Sequence, residues 1–506
     1  MRSKAASTAA VIAAFLLSVA NGAAQDIRLV EAAKNRESDA VQKLLTLKVD
    51  VNARQPDGVT PLHWVVQWDD LELVNRLLRA GAAVNVASDY GVTPLSLACT
   101  NRNAAIAEAL LKAGATPNAA SPVTGETPLM IASRTGAVEI VRMLLDRAAA
   151  VDTKEQHRGQ TALMWAAAEG HTGIVGILIE RGADVRAASN TGFTPLLFAA
   201  RTGDLQLVRS LLAAGASVNE AAADGTTALV IATVRGHTGL ARFLLEKGAD
   251  PNKGPGFTPL HWAGGMWGSS GIDNVSTLRA ENTEWTPLEG LRGPAKYDVV
   301  KLLLEHGADP NARAKGNPPQ YGAGPARGGI LAGATPFFVA ARAGEATIMR
   351  LLVAAGADPR LPNGQGTTPL MVAAGLGVRG YHSVGERDAL EAAKLCVELG
   401  NDVNAVDSLG ETALHGTAYR GLSGSDTIIQ LLVQNGARLN VKDAFGWTPL
   451  AIAEGIYFGG SDTRSDKMAE LFRKLGAEPS GPDVEREGNL AEREVREARE
   501  KKDTAR

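Results

Sequence analysis

The sequence predicts an all-α fold, a solenoid of helix-turn-helix units joined by β-hairpin fingers, with about 12 repeats including the two end caps. Three observations predict it. A threonine-led phrase recurs eleven times, and a second apolar phrase ending in a polar or glycine turn recurs between its copies. Both keep a spacing close to 33 residues over the first half of the chain. A fixed period of this size marks a stack of short supersecondary units rather than separate globular domains.

The first phrase reads "VTPLHWVVQ", "VTPLSLACT", "ETPLMIASR", "QTALMWAAA", "FTPLLFAAR", "TTALVIATV", "FTPLHWAGG", "ATPFFVAAR", "TTPLMVAAG", "ETALHGTAY" and "WTPLAIAEG". Its threonines are Thr60, Thr93, Thr127, Thr161, Thr194, Thr227, Thr258, Thr335, Thr368, Thr412 and Thr448. The early spacings are 33, 34, 34, 33, 33 and 31 residues. Threonine caps a helix, and proline in the first turn lacks only an N–H that has no partner there anyway. Leucine enters the core, and the small pair after it lets neighbouring helices approach. The second phrase, as in "VRSLLAAGASVN" and "ARFLLEKGADPN", places apolar residues at three- and four-residue spacing, so it is a second helix. Its glycine permits a left-handed cap. A further glycine just before the next threonine builds the finger turn.

These phrases resemble the ankyrin repeat, whose period and T-P-L-H-x-A core they match. The resemblance covers nearly all of residues 25–479. It implies helix pairs with their turns on one edge, fingers on the other, and a concave face that binds proteins. "DIRLVEAAKNRESDAVQKLLTLKVDVNAR" and "WTPLAIAEGIYFGGSDTRSDKMAELFRKLGAEP" read as the polar end caps. Residues 480–506 are nearly all charge with no apolar face, and read as a solvated, disordered tail.

Residues 1–24 read as a cleavable signal peptide. "MRSK" is basic, "AASTAAVIAAFLLSVA" is apolar, and "NGAAQ" supplies small residues, with cleavage expected between Gly22 and Gln25. No later stretch approaches the ~18 apolar residues of a membrane span. The expected address is therefore periplasmic or secreted, and the alanine-rich, cysteine-poor chain has a bacterial look. Cys99 and Cys396 are the only cysteines and occupy apolar helix positions. They read as buried free thiols, because a linear array holds them too far apart for a bridge. The formal net charge of -3 gives no electrostatic reason to expect nucleic acid as a partner.

The second half departs from the period. Thr258 to Thr335 spans 77 residues and Thr368 to Thr412 spans 44. Insertions are expected at 266–295, 313–333 and 375–390. Long irregular connections are often functional. "TPL" occurs at both Thr258 and Thr286, so one interrupted repeat or two short ones can be drawn. The favoured reading starts the first helix at Thr258 and runs the second from about Lys296 to His306. Gly293-Pro294 is read as a helix break before it. The first and third insertions should then leave the same edge, roughly 20 Å apart at ~10 Å per packed helix layer.

Candidate binding residues follow from this layout. Trp267 and Trp285 bracket the first insertion, while Arg379, Tyr381 and His382 lie in the third. Aromatic and arginine side chains on such loops could be anchors. Exposed inner-helix ends and finger tips should include Trp68, Tyr90, Arg134, Glu169, Arg201, Arg235, Arg342, Tyr419, Arg420 and Phe445. Ordinary solvated surface explains many of these equally well. His63, His261 and His415 share one repeat position, where the resemblance implies hydrogen bonds to neighbouring backbone. No catalytic residues and no metal ligands are assigned, since no H-E-x-x-H, C-x-x-C or nucleophile–base grouping occurs. No cofactor is expected.

The functional expectation is a monomeric, non-catalytic protein-binding scaffold acting outside the cytoplasm. Two alternatives stay open. One is an exported effector that binds a host protein. The other is an enzyme or small-ligand site formed by the insertions at 266–295 and 375–390.

Overall fold

The computed structural model describes residues 26–265, 293–315, 331–377, 384–420, 425–455 and 465–479. Residues 1–25, and with them the expected signal peptide, lie outside that set, as does the tail from 480 onward. The chain divides into two compact units, residues 1–217 and 218–506.

The first unit holds six helix pairs: α1 and α2 (Arg28–Lys34, Ser38–Thr46), α3 and α4 (Pro61–Gln67, Leu71–Arg79), α5 and α6 (Pro94–Thr100, Ala104–Lys112). They continue as α7 and α8 (Pro128–Thr135, Val138–Leu145), α9 and α10 (Ala162–Ala168, Thr172–Glu180), α11 and α12 (Pro195–Thr202, Leu205–Ala213). The second unit holds another six. These are α13 and α14 (Ala228–Val234, Thr238–Glu246), α15 and α16 (Pro259–Gly264, Pro294–Glu305), α17 and α18 (Pro336–Arg342, Ala346–Ala354). Last come α19 and α20 (Pro369–Ala373, Glu386–Glu398), α21 and α22 (Ala413–Tyr419, Asp426–Gln434), α23 and α24 (Pro449–Gly455, Asp466–Lys474). The described residues are all-α, and their twelve pairs match the expected repeat number.

Local chemistry sets each start and stop. The Thr93 hydroxyl accepts from the Ser96 amide at 3.1 Å, and the Ser96 hydroxyl accepts from the Thr93 amide at 2.8 Å. Such a reciprocal cap satisfies two orphan helix donors and stabilises by about 1 kcal/mol. Second helices close on left-handed glycines such as Gly81, Gly182 and Gly307. Ala148 holds the same conformation at φ 57° without being glycine. The leucines of the first phrase are buried, and small residues such as Ala132, Ala166 and Ala199 fill the helix contacts.

Among the described residues the fingers close as tight turns, with no named strand. The Ser88 amide donates to the Val92 carbonyl at 2.9 Å, and the Gly91 amide to the Ser88 carbonyl at 2.8 Å. Among the described residues the one β pairing is an isolated bridge between Ala221 and Thr227. Asparagines tie successive fingers together. Asn252 donates to the Gly307 carbonyl at 2.9 Å and accepts from the Asp309 amide at 2.7 Å. Asn52, Asn85, Asn118, Asn219, Asn311 and Asn404 make the same pair of bonds one repeat onward.

The insertions are shorter than the sequence suggested. Pro294 opens α16 behind Gly293 at φ 58°, so the helix begins slightly before the expected Lys296, with the Gly-Pro pair at the break that precedes it. Proline at a first position loses no helical bond. Likewise α20 begins at Glu386, inside the expected third insertion. The finger insertion is pinched at its base, where the Ala314 amide donates to the Ala334 carbonyl and the Gly333 amide to the Ala314 carbonyl. The second "TPL" at Thr286 lies outside the described residues.

Candidate functional site

The inner-helix histidines are structural. In the second unit, the Thr258 amide donates to His261 Nδ1 at 3.2 Å, and Nε2 lies 3.1 Å from the Ala334 carbonyl. An amide only donates and a carbonyl only accepts, so Nδ1 is bare and Nε2 carries the proton. His415 repeats this with Thr412 and the Trp447 carbonyl, and His63 with Thr60 and the Val92 carbonyl. Burial pushes the His261 imidazole down to about 4, and His63 shifts the same way for the same reason. A neutral ring suits its two partners, and protonating Nδ1 would set one donor against another.

In the first unit, the exposed end of α3 carries a stacked aromatic pair. Trp64 and Trp68 lie 5.9 Å apart with 21° between their planes. The Arg36 guanidinium sits 4.1 Å from the Trp68 ring centre, and Lys34 sits 5.8 Å from that of Trp64. The Trp68 indole donates to the Lys34 carbonyl at 3.2 Å, so this half-buried ring also braces the first repeat. Tyr90 stands on a finger tip, 72% exposed. Arg134 bonds Glu126 at 3.1 Å and lies 5.0 Å from the Trp165 ring centre. Arg201 lies 6.0 Å from Phe198, and Glu169 is exposed.

Inner-helix ends in the second unit are less open. Arg235 and Arg342 are half-buried. Phe445 stacks on buried Trp447 at 4.9 Å. Arg420 donates to the Val384 carbonyl. Tyr419, expected on the surface, is buried at 8% exposure. Gly416, on the same helix, is a point of close backbone approach. A Cβ there would lie 2.8 Å from the Leu376 amide nitrogen and 3.0 Å from the Met371 carbonyl, so only glycine lets the preceding turn close over α21. Trp267, Trp285, Arg379, Tyr381 and His382 lie outside the described residues.

A cleft of about 450 Å³ opens where the first and third insertions re-enter the second unit. Its origin is helix length. α16 and α20 have 12 and 13 residues, while α18, packed against both, has 9. The two long helices overhang the start of α18 by about one turn, ~5 Å. The extra turns form the walls with Tyr297, Val384, Arg387 and Asp388, and the turn from Ala343 to Thr347 forms the floor. Beneath it, buried Lys296 bonds Glu345 at 2.7 Å, and the Tyr297 hydroxyl reaches the other Glu345 oxygen at 3.5 Å. Burial lowers the Lys296 ammonium below the usual lysine range, opposed by Glu345. Sequence reasoning placed both insertions on one edge but missed Lys296, Tyr297 and Glu345. The signal available was Lys296 at a register where other repeats place a capping Asp70, Asn103 or Asp204.

Among the described residues, no group of three or more His, Cys, Asp or Glu could hold a metal ion. Nor does any described helix have the length and apolarity to cross a membrane. Cys99 and Cys396 are buried free thiols, and burial raises both thiol pKa values far above the usual range.

Capped helix pairs, left-handed glycine stops and finger-to-finger asparagines together define a repeat scaffold. The chain belongs to the ankyrin repeat family: the family model for three ankyrin repeats matches residues 29–121, 118–189, 149–222, 196–280 and 295–385, and the single-repeat model matches 255–315. Repeats of this kind indicate a protein–protein interaction scaffold. The chain is 33% identical over 210 residues to human ankyrin repeat and SOCS box protein 16, covering 42% of this chain and 41% of that protein. It is 32% identical over 177 residues to human neurogenic locus notch homolog protein 1, covering 34% of this chain and 6% of that protein. The chain thus spans about two fifths or less of the length of these relatives. The crystal structure of the human ASB11 ankyrin repeat domain is 28% identical, with a TM-score of 0.39, covering 44% of this chain and 98% of that one.

Proposed function

We propose that this chain is a non-catalytic, monomeric scaffold that captures a protein partner outside the cytoplasm, periplasmic or secreted. The observation that carries the reading is the Trp64–Trp68 pair with Arg36 and Lys34 at one inner-helix end, together with the exposed Tyr90 on a finger tip. Aromatic and arginine side chains presented together are the residue types that anchor protein interfaces. The basic, apolar, small-residue order of residues 1–24 supports export.

The test is crosslinking capture from the exported fraction with wild type and with Trp68→Ala and Tyr90→Ala together. Discrete partners retained by wild type and lost from the variant support the reading. Equal retention by both would overturn the assignment of this surface. N-terminal sequencing of the same material reads the export step directly, with a start between Gly22 and Gln25 expected.

A further inference from the structure

We infer that the cleft between α16, α18 and α20 is a binding site for a small dipolar molecule bearing an ammonium and a carboxylate, of the free amino-acid class. The inference lies beyond the scaffold reading and does not depend on it.

Several charges around the cleft already have partners. Lys296 and Glu345 satisfy one another at 2.7 Å beneath the floor, and Tyr297 is directed at the same carboxylate. Glu391 lies 3.7 Å from Lys394 along its own helix. Three charged groups on the cleft have no hydrogen-bond or ion-pair partner among the described residues: Arg350, Arg387 and Asp388. Arg387 and Asp388 belong to the extra turn of α20, and Arg350, on α18, lines the same cleft.

Unpaired charges of both signs around one concavity set the ligand chemistry. A guanidinium offers a planar fork of donors that fits a carboxylate. Asp388 offers acceptors only, which suit an ammonium. A purely anionic ligand would face Asp388, and a purely cationic one would face both arginines. A molecule carrying both groups complements all three. A volume of about 450 Å³ falls within the ~300–1,000 Å³ of small-molecule sites. Among the described residues, the wall is built by helix extension and the floor carries the Lys296–Glu345 ion pair.

The experiment uses the whole chain, with calorimetry and thermal unfolding in the presence of L-glutamine, acetate or methylammonium. L-Glutamine is expected to bind and to raise the melting temperature by about 2–4 °C at ten times its Kd. Acetate and methylammonium, each carrying half of the recognised charge, should produce at least tenfold weaker effects. Arg387→Gln and Asp388→Asn change exposed side chains, so they should unfold like wild type and lose L-glutamine affinity at least tenfold. Absence of L-glutamine binding at 50 mM, equal binding of acetate, or undiminished binding by both variants would overturn the assignment. Protein capture is read by a different assay, so failure of one reading leaves the other standing.

Discussion

The Lys296 ammonium, 3% exposed, lies 2.7 Å from the carboxylate of Glu345, a residue 49 positions onward at the start of the next second helix. This pair fastens the first insertion's re-entry turn to the neighbouring repeat. A buried pair of this kind is weak support against an apolar replacement, but removing one member strands the other. Glu345→Gln should therefore cost about 3–5 kcal/mol, while Lys296→Met with Glu345→Gln should recover most of that loss. Urea unfolding of the double-mutant cycle measures it. Strict additivity of the single effects would show that the pair is not coupled.

His261 makes the second unit acid-sensitive. Its unfolded value is 6.5 and its folded value about 4, because burial disfavours the charged ring. Between those values the unfolded chain binds more protons, so stability rises with pH across this window. The contribution is complete above about pH 6.5, is lost as pH falls towards 4, and amounts to about 3 kcal/mol over the whole window. Urea midpoints at pH 7 and pH 5 should differ less in His261→Ala than in wild type. An unchanged pH dependence would contradict the assignment.

Ala148 sits at φ 57° where neighbouring repeats place glycine. A left-handed alanine costs roughly 1–2 kcal/mol, part of which glycine gives back as unfolded-state entropy. Ala148→Gly should stabilise by about 0.5–1 kcal/mol. The converse change, Gly182→Ala, meets no atom within 4 Å, so its cost should be conformational and of similar size. Thermal unfolding of both variants tests the pair, and shifts in the same direction would refute it.

Asn252 clips its finger to the next one across the first insertion, through Gly307 and Asp309. Asn252→Ala removes both bonds and should cost about 1–2 kcal/mol. Amide exchange at Asp309 should accelerate at least tenfold. Unaltered protection at that amide would mean the finger is held by other contacts.

The sequence carried the repeat because its signals are local and periodic. Thr258 and His261 stand three residues apart, and their hydrogen bonds can be read from the spacing. Gly307 and its equivalents mark most second-helix ends in the same way, with Lys48 and Ala148 standing in the left-handed position of two repeats. The cleft was not legible in this manner. It arises from one extra turn on α16 and on α20, and neither Pro294 nor Lys296 shows in the sequence that these turns meet beside α18. The burial of Tyr419 was hidden too, and so was the close approach of Leu376 to Gly416, 40 positions onward. Arg134 and Arg201 lie at inner-helix ends beside Trp165 and Phe198, contacts that the spacing did not foretell.

The central claim is that the repeats serve capture through their presented side chains. Its most direct measurement compares crosslinked partners of wild type with those of a Trp68→Ala, Tyr90→Ala variant matched in circular dichroism and melting temperature. The account predicts discrete captured species with wild type and their loss from the variant. The same species captured equally by both proteins would contradict it.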